Sequence, residues 1–237
     1  MVALPHPAEK SAAVQSMFSD IAPRYDLLNH LLSLNIDKRW RRQAVDILLT
    51  NNDPAGTYLD ACAGTLDLSV EIAKRTKFTG RVIASDFAFP MLAAGTHKIE
   101  QKRIETVCGD AMRLPVPDNA CDGVIVGFGV RNLSSVNDGV RELTRVLKPG
   151  GKLVILEFTT PGWQPFRAIY LSYFTKVLPM VGKIISKHGN AYTYLPESVL
   201  QFPRPENLGA IMEAAGLRNV TWRTLTGGIA AIHSGTK

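Results

Sequence analysis

The sequence predicts an α/β fold in which helices cover an open, mostly parallel sheet. Short apolar runs alternate with amphipathic helical segments through most of the chain, which is typical of βαβ units. The clearest unit is 57–75, where an apolar strand is followed by a loop of small residues and then by a helix with Asp67 in its first turn. In sheets of this kind, such a unit forms one wall of the ligand crevice.

Length and composition fit one large globular domain. The chain has 237 residues, of which 46% are hydrophobic and 20% charged. It has no run of eighteen apolar residues and no signal-peptide pattern at its start, so we expect a cytoplasmic protein. Cys62, Cys108 and Cys121 are scattered, which predicts neither a disulfide framework nor a metal site.

Positive charge is concentrated in the last third of the chain. The net charge is +6, and residues 161–237 carry eight basic and three acidic residues. A basic surface there suits an anionic membrane face, a nucleic acid, or simply water. Charge alone leaves these alternatives open.

We predict an N-terminal helical cap over 1–50 and the main domain over 51–237. Helices are predicted over 8–18, 25–33 and 37–49. Asp37 is the expected N-cap of the third helix. These helices either pack on the sheet or close over the ligand, where Tyr25 and Trp40 offer aromatic faces to a cation.

The other elements alternate as the fold requires. Strands are predicted over 81–85, 104–108, 123–127, 151–157, 220–225 and 228–233. Helices are predicted over 90–102, 136–147 and 205–216. The turn 148–151 should end the second of these helices sharply. An apolar insertion at about 162–204 forms either a lid for a greasy ligand or a helix packed on the sheet.

Acidic residues near the small-residue loop favour S-adenosylmethionine over NAD as the ligand. Asp86 ends the second strand, where a carboxylate can bind the ribose diol of either cofactor. The dinucleotide fingerprint needs glycines where this chain has Ala61, Ala63 and Leu66. An acid such as Asp67 would repel a pyrophosphate but suits a positive sulfonium.

Two more loops are expected at the same edge of the sheet. Asp110 follows the third strand, where it can accept the adenine amino group or sit in a surface turn. Gly127 and Gly129 let a ligand approach the backbone after the fourth strand. Arg131 and Asn132 then offer polar groups to a substrate, with a surface salt bridge as the alternative for the arginine.

Longer motifs are more specific than these loops. They are Phe18–Asn29 with Ser33 and Trp40, then Phe128–Asn132, Arg145–Phe158, Ala191–Ser198 and Gly227–His233. In these motifs the chain resembles the ubiquinone/menaquinone biosynthesis C-methyltransferase family, of the demethylmenaquinone methyltransferase type. The resemblance implies a class I, Rossmann-like fold of seven strands with the last antiparallel. It also implies methyl transfer from S-adenosylmethionine to a ring carbon of a polyprenyl hydroquinone.

Site residues follow from the same resemblance and from the expected chemistry. The expected cofactor-binding residues are Asp60, Gly64, Thr65, Asp86, Phe87, Asp110, Ala111 and Gly127. Arg131 is expected to stabilise the acceptor phenolate and to orient a water that takes the proton, with Tyr25 and Asp26 as further catalytic candidates. The family commonly has glycine where this chain has Leu66. A working enzyme should therefore hold Leu66 at negative φ with its side chain in the core.

The expected partner is a polyprenylated hydroquinone, whose tail the insertion would hold while the basic last third faces lipid at the inner face of the membrane. Two other functions stay open. One is a nucleic-acid methyltransferase, which the pI of about 9.3 suits. The other is a lipid-binding protein that has lost its cofactor through Leu66. The sequence leaves open the benzoquinol or naphthoquinol nature of the acceptor, the tail length, and an oligomeric state for which a homodimer is one candidate.

Overall fold

The structure is a computed structural model that describes residues 7–26, 33, 35–100, 103–173, 175 and 190–237. Most of the helix predicted over 25–33 lies outside these residues, and so does the middle of the insertion at 162–204. The division into a cap over 1–50 and a domain over 51–237 stays a prediction.

The described residues form a seven-stranded sheet with helices on both faces. The strands are β1 (Thr57–Ala61), β2 (Arg81–Asp86), β3 (Ile104–Cys108), β4 (Cys121–Gly127), β5 (Leu147–Phe158), β6 (Arg218–Leu225) and β7 (Ala230–Thr236). The helices are α1 (Pro7–Ile21), α2 (Ile36–Leu49), α3 (Asp67–Ala73), α4 (Phe89–Gly95), α5 (Val136–Val146), α6 (Gln164–Ser172), α7 (Asn190–Gln201) and α8 (Pro205–Ala214).

The strand order is β3-β2-β1-β4-β5-β7-β6, and β7 runs antiparallel to both of its neighbours. The predicted fold class is confirmed, including the single reversed strand at the end of the chain. The strand order reverses between β1 and β4, because β2 and β3 lie on one side of β1 whereas β4 and the later strands lie on its other side. An open crevice forms at such a reversal, beyond the carboxyl ends of the strands.

The central strands are buried on both faces, as expected for parallel strands between two layers of helices. One core joins inward residues of the sheet such as Val124 and Ile155 to α5 and α8. The other joins residues of opposite orientation, including Tyr58 and Ile125, to α2. Trp40 of α2 belongs to this second core and packs against the ring of Phe128. Trp40 is therefore a core residue and does not offer its ring to the cleft.

Most predicted elements lie within a few residues of the observed ones, with three corrections. The helix predicted over 90–102 ends as an α-helix at Gly95 and continues only as a 3-10 turn over Thr96–Lys98. Strand β5 begins at Leu147, earlier than the predicted start at Gly151, because Leu147 already pairs with Cys121 of β4 before a shift in register. Helix α2 begins at Ile36 after Asn35, so Asp37 is not its N-cap. Instead, Asp37 accepts a hydrogen bond of 2.7 Å from the Ser33 hydroxyl.

Candidate active site

The candidate active site is a cleft, partly open to solvent, at the carboxyl ends of the parallel strands. It lies at the reversal of strand order between β1 and β4. Its walls are the loops after β1, β2, β3 and β4, together with residues of α1.

Most of the predicted cofactor residues meet in this cleft. Those that line it are Gly64, Asp86, Phe87, Asp110, Ala111 and Gly127. Asp60 and Thr65 are buried beside it and are not part of its lining. Among the three predicted catalytic residues, Tyr25 lines the cleft, whereas Asp26 and Arg131 do not.

The loop after β1 turns sharply at Gly64, whose φ is +53°. The Leu66 N–H donates to the Ala63 carbonyl oxygen at 2.9 Å, which closes the turn. An added side chain at Gly64 would be strained by this φ, and it would also contact the methyl group of Met91 in the cleft wall. The loop thus brings its backbone to the cleft, as predicted from its small residues.

The conformation predicted for Leu66 is wrong, whereas the predicted burial of its side chain is correct. Leu66 has φ +70° and ψ +15°, so it adopts the left-handed conformation that glycine takes without cost. Its side chain is fully buried against Ala63, Val70, Ala84 and Leu92, as predicted. The backbone at Leu66 is therefore left-handed, and burial of the leucine side chain offsets the strain.

Asp86 forms the end of β2 and holds two loops. Its Oδ2 accepts the Gly64 N–H and its Oδ1 accepts the Ala88 N–H, each at 2.8 Å. Burial raises the pKa of Asp86 although both bonds favour its ionised form. A carboxylate has about four acceptor positions, so Asp86 can still accept a hydrogen bond from a ligand. Asp86 is therefore a fixed acceptor in the cleft wall.

Asp60 lies fully buried beneath the loop after β1. Its Oδ2 accepts both the backbone N–H and the hydroxyl of Ser69, at 2.9 and 2.6 Å. Its Oδ1 has no hydrogen-bond partner in the described part of the chain. Burial raises the pKa of Asp60 to about 7, against the opposing effects of Ser69 and Arg41. Asp60 therefore keeps an unused acceptor close to the site.

The predicted role of Gly127 changes with the structure. A side chain at Gly127 would come within 2.6 Å of Leu68, so packing against α3 is one reason for glycine at this position. At Gly129, a side chain would come within 2.4 Å of Cys62. The loops after β1 and β4 therefore approach closely at the reversal of strand order. Asp110, by contrast, lies exposed at the cleft and accepts the Met112 N–H within its own turn.

Helix α1 lies across the cleft and is held at both sides. Lys10 Nζ donates to the carbonyl oxygens of Arg131 and Leu133 at 3.0 and 2.7 Å, after β4. Gln15 Nε2 donates to the Phe87 carbonyl oxygen at 2.6 Å, after β2. Burial and the charge of Arg131 lower the pKa of Lys10. Nothing in the sequence pattern of α1 indicated these contacts, since lysine and glutamine are ordinary surface residues of a helix.

A network of charged residues surrounds the first turn of α3, outside the cleft lining. Lys98 Nζ lies 2.5 Å from Asp26 Oδ2 and 2.6 Å from Asp67 Oδ1. Arg41 also pairs with Asp67, and the Thr65 hydroxyl donates to Asp26. Asp67 therefore does not face the ligand as predicted, because Arg41 and Lys98 neutralise it outside the cleft lining. Asp26 and Thr65 are bonded to each other and lie beside the site.

Arg131 is bound inside the protein. Its guanidinium Nη1 lies 2.7 Å from Glu157 Oε1 at the end of β5, and it also donates to the Phe128 carbonyl oxygen. The Arg131 backbone N–H reaches Glu157 Oε2 at 3.2 Å. The guanidinium lies over the ring of Phe158. Its neighbour Asn132, and not Arg131, lines the cleft.

The cleft suits S-adenosylmethionine better than a dinucleotide. Among the described residues that line it there are two acids, Asp86 and Asp110, but no lysine or arginine that would pair with a pyrophosphate. The Asp86 carboxylate fits a ribose diol. The prediction of S-adenosylmethionine is therefore supported by Asp86 and Asp110, and not by Asp67.

Known proteins are similar to this chain in amino-acid sequence. The ubiE/COQ5 methyltransferase family model matches residues 7–237. Demethylmenaquinone methyltransferase of Thermus thermophilus is 48% identical over 223 residues, which are 93% of this chain and 100% of that protein. Ubiquinone/menaquinone biosynthesis C-methyltransferase UbiE of Geobacter sulfurreducens is 43% identical over 233 residues, 97% of this chain and 90% of that protein.

Solved structures agree on the fold. An S-adenosylmethionine-dependent methyltransferase of Thermotoga maritima is 18% identical, with a TM-score of 0.64 over 94% of this chain and 98% of the other. The [4+2]-cyclase SpnF reaches a TM-score of 0.61 at 18% identity, over 83% of this chain and 80% of the other. These likenesses show the fold alone, which serves more than one chemistry. The sequence matches decide the family: the chain belongs to the ubiE/COQ5 methyltransferase family.

Proposed function

We propose that this chain transfers the methyl group of S-adenosylmethionine to a ring carbon of a polyprenyl hydroquinone in quinone biosynthesis. One observation carries most of the proposal: a cleft with two acids and no cationic side chain in its described lining lies at the strand reversal of a chain from this family. Naphthoquinol is the favoured acceptor, since the Thermus thermophilus relative, 48% identical, is named for demethylmenaquinone.

Bound S-adenosylmethionine supplies an electrophilic methyl group on a positive sulfur. Asp86 would bind the ribose hydroxyls, and the backbone at Gly64 would lie along the methionine end. Asp110 and Ala111 would bind the adenine, with Phe87 as its apolar neighbour. All five residues line the cleft. Thr65 and Asp60 would act through the loop after β1, because neither lines the cleft.

The acceptor must become nucleophilic at a ring carbon, which happens when one of its phenol groups loses a proton. The residues must therefore hold the ring, exclude water and stabilise the developing phenolate. Asn132 and Tyr25 line the cleft and can contact that ring. Arg131 would support the phenolate from behind the loop, where its Nε–H is buried without a partner in the described residues.

The cap over 1–50 would act through α1. Lys10 and Gln15 connect α1 to loops on opposite sides of the cleft, so α1 excludes water when it is docked. In contrast, α2 packs in the core, so it would stay in place when α1 docks or leaves. The functional cap would therefore end before Ile36.

Membrane contact is proposed for the start of α6. Trp163 and Ile169 are 71% and 69% exposed, with Arg167 between them, and α6 follows the carboxyl end of β5. Exposed tryptophan next to a cation suits the headgroup layer of a membrane. No described helix is long and apolar enough to cross a bilayer.

The proposed membrane surface is tested with the double variant Trp163→Ser and Ile169→Ser, which should cosediment less with anionic vesicles than the parent does. Trp222→Ser is the control on edge strand β6, and equal binding by both variants would contradict this surface.

The function is tested with methyl-labelled S-adenosylmethionine and a total extract from the source cells. The label should appear in a quinone whose mass increases by one methyl group, and in no nucleic acid. Label in RNA or DNA would favour the nucleic-acid alternative. Lack of any cofactor binding in a direct titration would favour a lipid-binding protein.

A further inference from the structure

Asn132 is one of two polar side chains, with Ser134, that the segment after β4 presents in the cleft wall, and both ends of its amide have partners. Its Oδ1 accepts a hydrogen bond from the Tyr194 hydroxyl at 3.1 Å. Its Nδ2 donates to the Phe128 carbonyl oxygen at 3.3 Å. These two bonds fix which end of the amide is oxygen and which is nitrogen.

The amide nitrogen of Asn132 has a hydrogen left for a ligand. An amide nitrogen carries two N–H bonds, and only Phe128 accepts one of them among the described residues. The amide oxygen, in contrast, is already turned toward Tyr194 of α7. Asn132 in this orientation offers a ligand a donor and withholds its acceptor.

Tyr194 does not line the cleft, so it can act there only through Asn132. Burial raises the pKa of Tyr194 above that of a free phenol, and Glu157 acts in the same direction, while Arg131 opposes it. The hydroxyl therefore keeps its proton at physiological pH and remains a donor to Asn132. Tyr194 also lies 62 residues away along the chain, so its bond connects α7 to the loop after β4.

We infer that Asn132 donates a hydrogen bond to the phenolate oxygen of the acceptor and that Tyr194 is the positioning residue that holds this amide in the donating orientation. The inference rests on the proposed function, because only an acceptor that develops negative charge requires a donor here. In that reaction the phenol loses its proton to water, and the ring carbon takes the methyl group as the carbon–sulfur bond breaks and S-adenosylhomocysteine leaves. The proton of that ring carbon then passes to water. Asn132 takes part in no covalent step.

The test compares Tyr194→Phe, Asn132→Ala and the double variant, with Tyr58→Phe as control. Tyr58 is also a buried tyrosine whose hydroxyl has one carbonyl partner, the Asp53 oxygen, but at the opposite edge of the sheet. Turnover should fall about tenfold in Tyr194→Phe and on the order of a hundredfold in Asn132→Ala. The double variant should match Asn132→Ala, because Tyr194 has no effect without the amide. Cofactor affinity should stay unchanged throughout.

A second readout separates positioning from structural damage. Loss of the donor should shift the pH profile of turnover to higher pH in Tyr194→Phe, since the acceptor phenol then ionises less readily. Tyr58→Phe should leave the profile unshifted. Parental turnover in Tyr194→Phe, or a double variant that loses the product of the two single effects, would overturn the inference. A parent that methylates no quinol would instead refute the proposed function.

Discussion

Arg131 and Glu157 form a buried ion pair between the loop after β4 and the end of β5, with their side chains 6% and 1% exposed. The pair connects neighbouring strands at the edge of the sheet where the cleft opens. Because both charges are removed from water, the loss of either residue would leave the charge of the other buried without this partner. Arg131 thus has a structural role, in a buried ion pair in place of the surface salt bridge that the sequence left as its alternative.

Arg131→Ala is expected to lower turnover at least tenfold and, in addition, to destabilise the fold by about 3–5 kcal/mol, because Glu157 remains buried and unpaired. The double variant Arg131→Met with Glu157→Leu should recover most of that stability but not the turnover. Denaturant unfolding and initial rates measure the two effects. Parental turnover in the double variant would remove Arg131 from any role toward the acceptor.

Asp86→Ala is expected to weaken cofactor binding by about 2–4 kcal/mol, through loss of charge-assisted bonds to the ribose. It should also lower the free energy of unfolding by about 1–3 kcal/mol, because the Gly64 and Ala88 N–H groups lose their acceptor. Calorimetric titration and thermal unfolding test both effects. Asp138→Ala is a matched control, since its carboxylate pairs on the exposed face of α5. Cofactor affinity within twofold of the parent would contradict the assignment.

Leu66 allows the strain and the burial at one position to be separated. Leu66→Ala keeps the left-handed backbone of the parent and loses burial, so it should cost about 2–5 kcal/mol. Leu66→Gly loses slightly more burial but relieves about 1 kcal/mol of backbone strain. The glycine variant should therefore be at least as stable as the alanine variant in urea unfolding. A glycine variant that is clearly less stable would show that Leu66 is not strained.

The fold was largely predictable from the sequence, whereas the site was only partly so. The strand pattern and the small-residue loop placed Gly64, Asp86 and Asp110 at one sheet edge, and the structure brings them together. Backbone conformation at Leu66 was not predictable, because its burial outweighs a local preference. Pairing of Arg131 with Glu157 joins residues 26 positions apart, and spacing along the chain does not encode such a contact.

The buried carboxyl of Asp60 predicts a pH dependence of stability. Its pKa is raised by burial to about 7 in the folded chain, so the folded state binds more protons than the unfolded state between about pH 4 and pH 7. Its contribution to stability is present at low pH and is lost as pH rises through about 7. Asparagine does not ionise, so Asp60→Asn should remove this decrease in the free energy of unfolding with rising pH. The stability of the variant relative to the parent should rise between pH 4 and 7 by about 1.4 kcal/mol per unit. A constant difference would show that Asp60 is ionised throughout.

Lys10 offers a test of α1 as the cap. Lys10→Met keeps most of the apolar stem but removes both bonds to the carbonyl oxygens after β4, so α1 should dock less firmly. Cofactor dissociation, followed by stopped-flow competition, should become several-fold faster. The control Lys38→Met removes a lysine from the exposed side of α2. Equal dissociation rates in both variants would mean that α1 does not close over the cofactor.

Transfer of a deuterated methyl group to reduced demethylmenaquinol tests the proposed reaction most directly. Purified protein, deuterated S-adenosylmethionine and the reduced quinol should give menaquinol that carries the deuterated methyl group on a ring carbon, with one S-adenosylhomocysteine released per product. Mass fragmentation locates the group on the ring. A methyl group found on oxygen, or no transfer by a protein that binds the cofactor, would contradict the proposed ring-carbon chemistry.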